Sequence, residues 1–114
     1  MLLTNFLEKL SAMPDSIEFN DTMAAIEENY QFTETAFTNG EQVNSAGENN
    51  GSCKLFSFAA LNQLDKAQTL ACFGAYYRND VVKNPNGSDH QNIRQFMING
   101  WDGIHFSGQA LTEK

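Results

Sequence analysis

The chain of 114 residues predicts a mainly α fold: a single domain, residues 1–114, of about five helices with a small β-hairpin. An α+β fold is the alternative class. Apolar residues recur at helical spacing in five separate segments. Asp65 with Gln68, and Ser88 with Gln91, have the spacing of a capping box. One β-rich stretch, residues 34–44, is split by Asn39-Gly40, a dipeptide suited to a two-residue hairpin turn.

The elements follow in order. Leu3, Phe6, Leu7 and Leu10 share one face of a first helix, and Pro14 ends it by disfavouring helical geometry at Met13. A second helix is expected from Asn20 or Asp21, both good caps. Phe19, Met23, Ile26 and Tyr30 line its apolar side. The hairpin follows. A third helix is expected after Gly51 or Ser52. Leu55, Phe56, Phe58, Ala59, Ala60, Leu61 and Leu64 wrap most of its circumference, which places it at the centre of the fold. The fourth helix opens at Asp65 with an inward stripe of Leu70, Phe73, Gly74, Tyr77 and Val81. Gly74 costs helix stability and so marks a close helix crossing. Pro85-Asn86-Gly87 is a turn. Ser88 opens a fifth helix with Ile93, Phe96 and Met97 on its core face, and Gly100 ends it. Ile104-His105-Phe106 fits a short strand or an extended tail. The chain holds thirteen Asn, and Asn39, Asn50, Asn86 and Asn99 directly precede Gly. Most of this Asn content reads as turn chemistry, because Asn tolerates left-handed backbone.

Charge narrows the partners. The net charge is −7, with the acids concentrated in residues 1–50. Nucleic acid and anionic membrane need clustered Lys and Arg and are not expected as partners. No segment is long and apolar enough to span a bilayer. The start lacks a basic region, and Asn5, Glu8 and Lys9 interrupt its apolar run, so it does not read as an export signal. Both Cys residues are expected as reduced thiols and the location as cytoplasmic. No cofactor is called for.

Candidate chemistry gathers where two polar, glycine-bearing segments enter helices: Gly47–Lys54 and Asn86–Arg94. Helix starts expose N–H groups and a positive dipole end, which favour a thiolate or a bound anion. One reading is a hydrolase or transferase with Cys53 as nucleophile and His90 as base, oriented by Asp89 or an Asn side chain. A second is a site for a small polar ligand, such as a carboxylate or phosphate held by the two helix starts with Arg78 or Arg94, or for a protein partner. Asn49, Asn50, Ser52, Lys54, Tyr77, Arg78, Asn92, Arg94, Trp101 and Asp102 are its candidate residues. Structural roles compete for each: ion pairs for Arg78 and Arg94, core packing for Cys53 and Cys72, a packing anchor for Trp101. Metal binding by Cys53, Asp89, His90 or His105 is not expected, because no zinc-type spacing is present.

Four segments carry a family resemblance. Asn49-Asn50-Gly51-Ser52-Cys53-Lys54, Tyr76-Tyr77-Arg78, Asp89-His90-Gln91-Asn92-Ile93-Arg94 and Gly100-Trp101-Asp102-Gly103-Ile104 resemble the HopJ type III effector family in order and spacing, over about Phe19 to Phe106. The resemblance implies a small bacterial protein, delivered by a type III secretion system if it is a true effector. It implies no mechanism and assigns no catalytic residue.

Overall fold

In the computed structural model, which describes residues 3–114, the first apolar segment forms helix α1 (Leu3–Ala12), with Phe6 and Leu10 buried. Met1 and Leu2, at the head of that segment, lie outside the described residues. A short 3-10 turn at Pro14–Ser16 follows. Helix α2 (Phe19–Asn29) begins one residue earlier than its expected caps. The Asp21 carboxylate accepts from the Glu18 N–H at 3.0 Å, so Asp21 closes the first turn from inside the helix. Tyr30, expected as helical, instead begins strand β1 (Tyr30–Phe32).

The expected hairpin forms from β2 (Phe37–Asn39) and β3 (Gln42–Asn44). Its turn is shifted by one residue. Asn39 pairs with Gln42, so the loop is Gly40-Glu41 rather than Asn39-Gly40. Gly40 alone supplies the positive φ, +59°, as in a type II′ turn. The alternation of β3 is inverted: Val43 is exposed and Asn44 is buried.

Helix α3 (Asn50–Leu61) fulfils the central role its sequence demands. Phe56 is its hub, packing against Phe37, Phe73, Phe96 and Trp101 with ring centroids 5.0–6.4 Å apart. Such aromatic pairs add about 0.5–1.5 kcal/mol each beyond area burial. The helix closes in a Schellman motif: the Leu64 N–H bonds to the Ala59 carbonyl and the Gln63 N–H to the Ala60 carbonyl, with Gln63 at φ +56° where Gly is usual.

Helix α4 (Lys66–Ala71) opens with the expected capping box: Gln68 N donates to Asp65 Oδ1 at 2.8 Å, and Asp65 N to Gln68 Oε1 at 3.1 Å. It does not continue through Gly74. That residue sits at φ +61°, and a Cβ there would lie 2.6 Å from the Phe19 backbone nitrogen. The close crossing is therefore against the start of α2, and the left-handed backbone breaks the helix. Beyond it, Tyr76–Val81 forms a π-helical turn.

Helix α5 (Gln91–Asn99) runs into a 3-10 turn at Gly100–Gly103. Strand β4 (Ile104–Phe106) pairs antiparallel with β2, and β5 (Leu111–Glu113) pairs antiparallel with β1. The two small sheets have orders β3-β2-β4 and β1-β5. The fold is thus mainly α with small antiparallel sheets around one core.

Candidate functional site

The starts of α3 and α5 are some forty positions apart in sequence, yet they meet across one cleft of about 410 Å³. Asn49, Gly51 and Ser52 approach it from α3, and His90, Gln91 and Asn92 from α5. Gln42 of β3 joins this polar side, while Phe19, Phe73 and Tyr76 form an aromatic side. Phe19 stacks on Phe73 at 6.3 Å and meets Tyr76 edge-on at 5.2 Å.

Both helix starts are built alike. The N-cap residues Asn49 (φ 51°, ψ 47°) and His90 (φ 50°, ψ 50°) are left-handed, and neither carries a side-chain cap bond. This backbone costs most residues other than Gly roughly 1–2 kcal/mol, and Asn and His, which adopt it more readily, less than that. The Ser88–Gln91 capping box expected for α5 is not formed. Gln91 Nε2 donates to the Ser88 carbonyl at 2.8 Å instead. The N-cap is His90, which puts Ser88 two residues outside the cap position. Arg94 holds that loop, donating to the Asp89 carbonyl (2.6 Å), the Asn84 carbonyl (2.9 Å) and Asp89 Oδ1 (2.5 Å). Clamped in this way, the loop hands the turn into the helix to His90.

A buried amide network fastens the two starts together. Asn44 Oδ1 accepts from Asn49 Nδ2 at 2.7 Å and from Asn92 Nδ2 at 3.0 Å. Asn92 Oδ1 accepts from Asn39 and Asn44, each at 3.2 Å. Asn39 Nδ2 also reaches the Asn92 carbonyl at 2.7 Å. These Asn residues are therefore not all turn chemistry. Asn39 and Asn44 occupy inward strand positions, where an apolar residue is the ordinary choice. That placement is the sequence signal for Asn39 and Asn44; Gln42 carries no comparable one.

His90 is held from the π-helical turn. Its Nε2 lies 3.1 Å from Asp80 Oδ2, and its ring is 5.3 Å from that of Tyr76. Asp80, not Asp89, is the nearer carboxylate: Asp89 Oδ2 stands at 3.9 Å. The Arg94 hydrogen bond holds the Asp89 carboxyl below its usual range. Tyr76 faces the cleft, whereas Tyr77 lines a separate groove with Val81, Arg94 and Met97. The break at Gly74 resets the helical phase, so the stripe that selected Tyr77 does not extend past it.

The remaining candidates lie elsewhere. Cys53 is fully buried in the core, and its Sγ donates to the Thr35 carbonyl at 3.4 Å. Burial pushes its pKa up, against the thiolate that a nucleophile needs. No hydrogen bond joins Cys53 to His90 among the described residues. Lys54 faces Glu27 at 3.8 Å and lies 5.0 Å over the Phe32 ring. Asn50 Nδ2 reaches Glu34 at 3.4 Å. Arg78 donates to the Ile17 carbonyl (2.8 Å) and to Glu18 Oε1 (2.9 Å), tying the π turn to the start of α2. Trp101 packs on Phe56 and Phe96 and donates to the Leu64 carbonyl at 3.1 Å. Asp102 is exposed on the same 3-10 turn. Among the described residues, no cluster of three or more His, Cys, Asp or Glu is placed to hold a metal ion. No described helix is long and apolar enough to cross a membrane.

The comparisons with known proteins agree with this architecture. A solved structure described as the crystal structure of unknown function protein VPA0580 is similar with a TM-score of 0.99 and 59% identity, covering 100% of this chain and 95% of that one. No curated protein matches the chain. The family model described as HopJ type III effector protein matches residues 3–111. With nearly its whole length matched, the chain belongs to the HopJ type III effector protein family.

Proposed function

We propose that the protein is a binding module for a small polar ligand, held in the cleft between the starts of α3 and α5. One observation carries this reading. Two helix starts without side-chain caps, each entered through a left-handed residue other than Gly, line a single hollow. Strained backbone of this kind persists where surrounding structure holds it, and it clusters at ligand sites. The volume falls within the range of small-molecule pockets, about 300–1,000 Å³.

Thermal unfolding with a panel of phosphate, small carboxylates, amino acids, nucleosides and saccharides tests it. A ligand at about one hundred times its Kd stabilises by about 2.7 kcal/mol, which raises Tm by roughly 10 °C in a chain of this size. The rise should vanish in Ser52→Trp, which fills the cleft. No rise with any class, or a rise that survives the filled cleft, overturns the reading.

The alternative casts Cys53 as nucleophile and His90 as base. The buried thiol, its bond to Thr35 and its raised pKa weigh against it. Delivery by a type III system, or a resident cytoplasmic role, is tested by assaying culture supernatants of strains with and without a functional secretion apparatus.

A further inference from the structure

Resting on the reading of this cleft as a ligand site, we propose that its ligand is a neutral hydroxylated ring, a mono- or disaccharide, rather than an anion. Charge argues first. The cations near these segments are engaged elsewhere: Lys54 with Glu27, Arg78 with Glu18, Arg94 with Asp89. No Lys, Arg, Asp or Glu lines the cleft among the described residues. The carboxylate of Asp80 stands directly behind His90, and the chain carries a net charge of −7. An anion would meet the backbone N–H groups of the two helix starts but no Lys or Arg to pair with it, in a chain of net negative charge.

The hydrogen-bonding groups argue second. Among the described residues, the side chains of Gln42 and Ser52 make no hydrogen bond to the protein. Asn49, Gln91 and His90 each spend one polar atom on a protein partner. What remains to a ligand is Asn49 Oδ1, Gln91 Oε1, the second N–H of each of these amides, and His90 Nδ1. The Asp80 carboxylate occupies Nε2, which leaves Nδ1 of His90 to the ligand. The free set therefore contains both donors and acceptors. A carboxylate only accepts, and would leave Asn49 Oδ1 and Gln91 Oε1 unpaired. A hydroxyl donates and accepts, so a ring bearing several of them satisfies both kinds.

The aromatic lining argues third. Phe19 and Tyr76 present ring surface beside the polar groups, Tyr76 with its ring 5.3 Å from that of His90, and Tyr76 is 45% exposed and so available to a ligand. The C–H face of a sugar ring is apolar and packs on such a surface while its hydroxyls point to the polar side.

Saturation-transfer NMR and calorimetry on the full chain test the assignment. The probes are glucose, N-acetylglucosamine, maltose and cellobiose, with inorganic phosphate and citrate alongside. At least one saccharide should bind, neither anion should displace it, and Tyr76→Ala should weaken it about tenfold, the loss of one ring contact. Gln42→Ala should weaken it as well, and both variants should retain the native fold by circular dichroism. Binding of phosphate or citrate at the cleft with no saccharide binding would overturn the saccharide assignment and leave the site standing. Saccharide binding unchanged in both variants would place it elsewhere and overturn the assignment too. If no probe in this panel or the wider one binds, both readings fall.

Discussion

Asn44 and Asn92 bind each other reciprocally in the buried interior. Asn92 Nδ2 donates to Asn44 Oδ1 at 3.0 Å, and Asn44 Nδ2 donates to Asn92 Oδ1 at 3.2 Å. The pair joins β3 to the first turn of α5, and Asn44 adds the cap of α3 through Asn49. Removing Asn44 leaves Asn92 Nδ2 without its acceptor in a site screened from water, while Asn92 Oδ1 keeps Asn39. Asn44→Ala should cost about 2–3 kcal/mol, the scale of an unpaired buried polar group plus a lost hydrogen bond. Asn49→Ala should cost less, because Asn49 is exposed and water replaces the protein partner. Urea unfolding measures both, and a loss below about 0.5 kcal/mol for Asn44→Ala would remove the network from the account of stability.

Gly74 carries two constraints at once. Its φ of +61° disfavours any side chain, and a Cβ would lie 2.6 Å from Phe19 N and 2.9 Å from Glu18 Cα. Backbone cannot swing aside as a flexible side chain does. Gly74→Ala should therefore cost more than about 2 kcal/mol, beyond the 1–2 kcal/mol of left-handed strain alone. It should also displace Phe19 from the aromatic wall of the cleft. Unfolding midpoints check the first effect, and Phe19 ring shifts in NMR check the second.

Gln63 offers the opposite test. It holds the left-handed position of the Schellman motif ending α3, and its side chain is exposed. Gly adopts this backbone without penalty. Gln63→Gly should stabilise the protein by about 0.5–1 kcal/mol, the strain relieved less the added entropy of the unfolded chain. A lowered Tm would contradict the strain assigned there.

The thiols give a pH dependence. Burial pushes Cys72 up to about 12 from an ordinary value of 9.0, and burial also raises Cys53. The folded state thus keeps protons that the unfolded state releases. Their stabilising contribution is fully present below about pH 9 and is lost as pH rises toward 12. Each thiol that ionises only on unfolding should lower stability by up to about 1.4 kcal/mol per pH unit. Urea unfolding between pH 8 and about 11 measures this, and Cys72→Ala should flatten the slope. Labelling by iodoacetamide at neutral pH should follow the unfolding rate. Rapid labelling of native Cys53 would revive the nucleophile reading.

Local rules carried much of the fold. The apolar spacing of α1, α3 and α5, the Asp65–Gln68 box and a turn at Gly40 depend on contacts within a few residues, so composition and order decide them. Helix α4 failed at Gly74 because the decisive contact is with Glu18 and Phe19, more than fifty positions away. Strands β1 and β5 carry no local signal, because each is short and becomes a strand only by pairing with the other.

The amino-acid order alone determined a mainly α chain, its family, and two polar segments entering helices. Tertiary structure decided which of their side chains share a space. It turned Cys53 into the core, paired Lys54, Arg78 and Arg94 with carboxylates and carbonyls, brought Tyr76 and Gln42 to the cleft, and set Asp80 against His90. The physical reason is that helical periodicity sets direction only within one element. Where two elements face each other depends on how their apolar faces pack and which buried polar groups must be paired. Here the asparagines at 39, 44 and 92 supply that pairing.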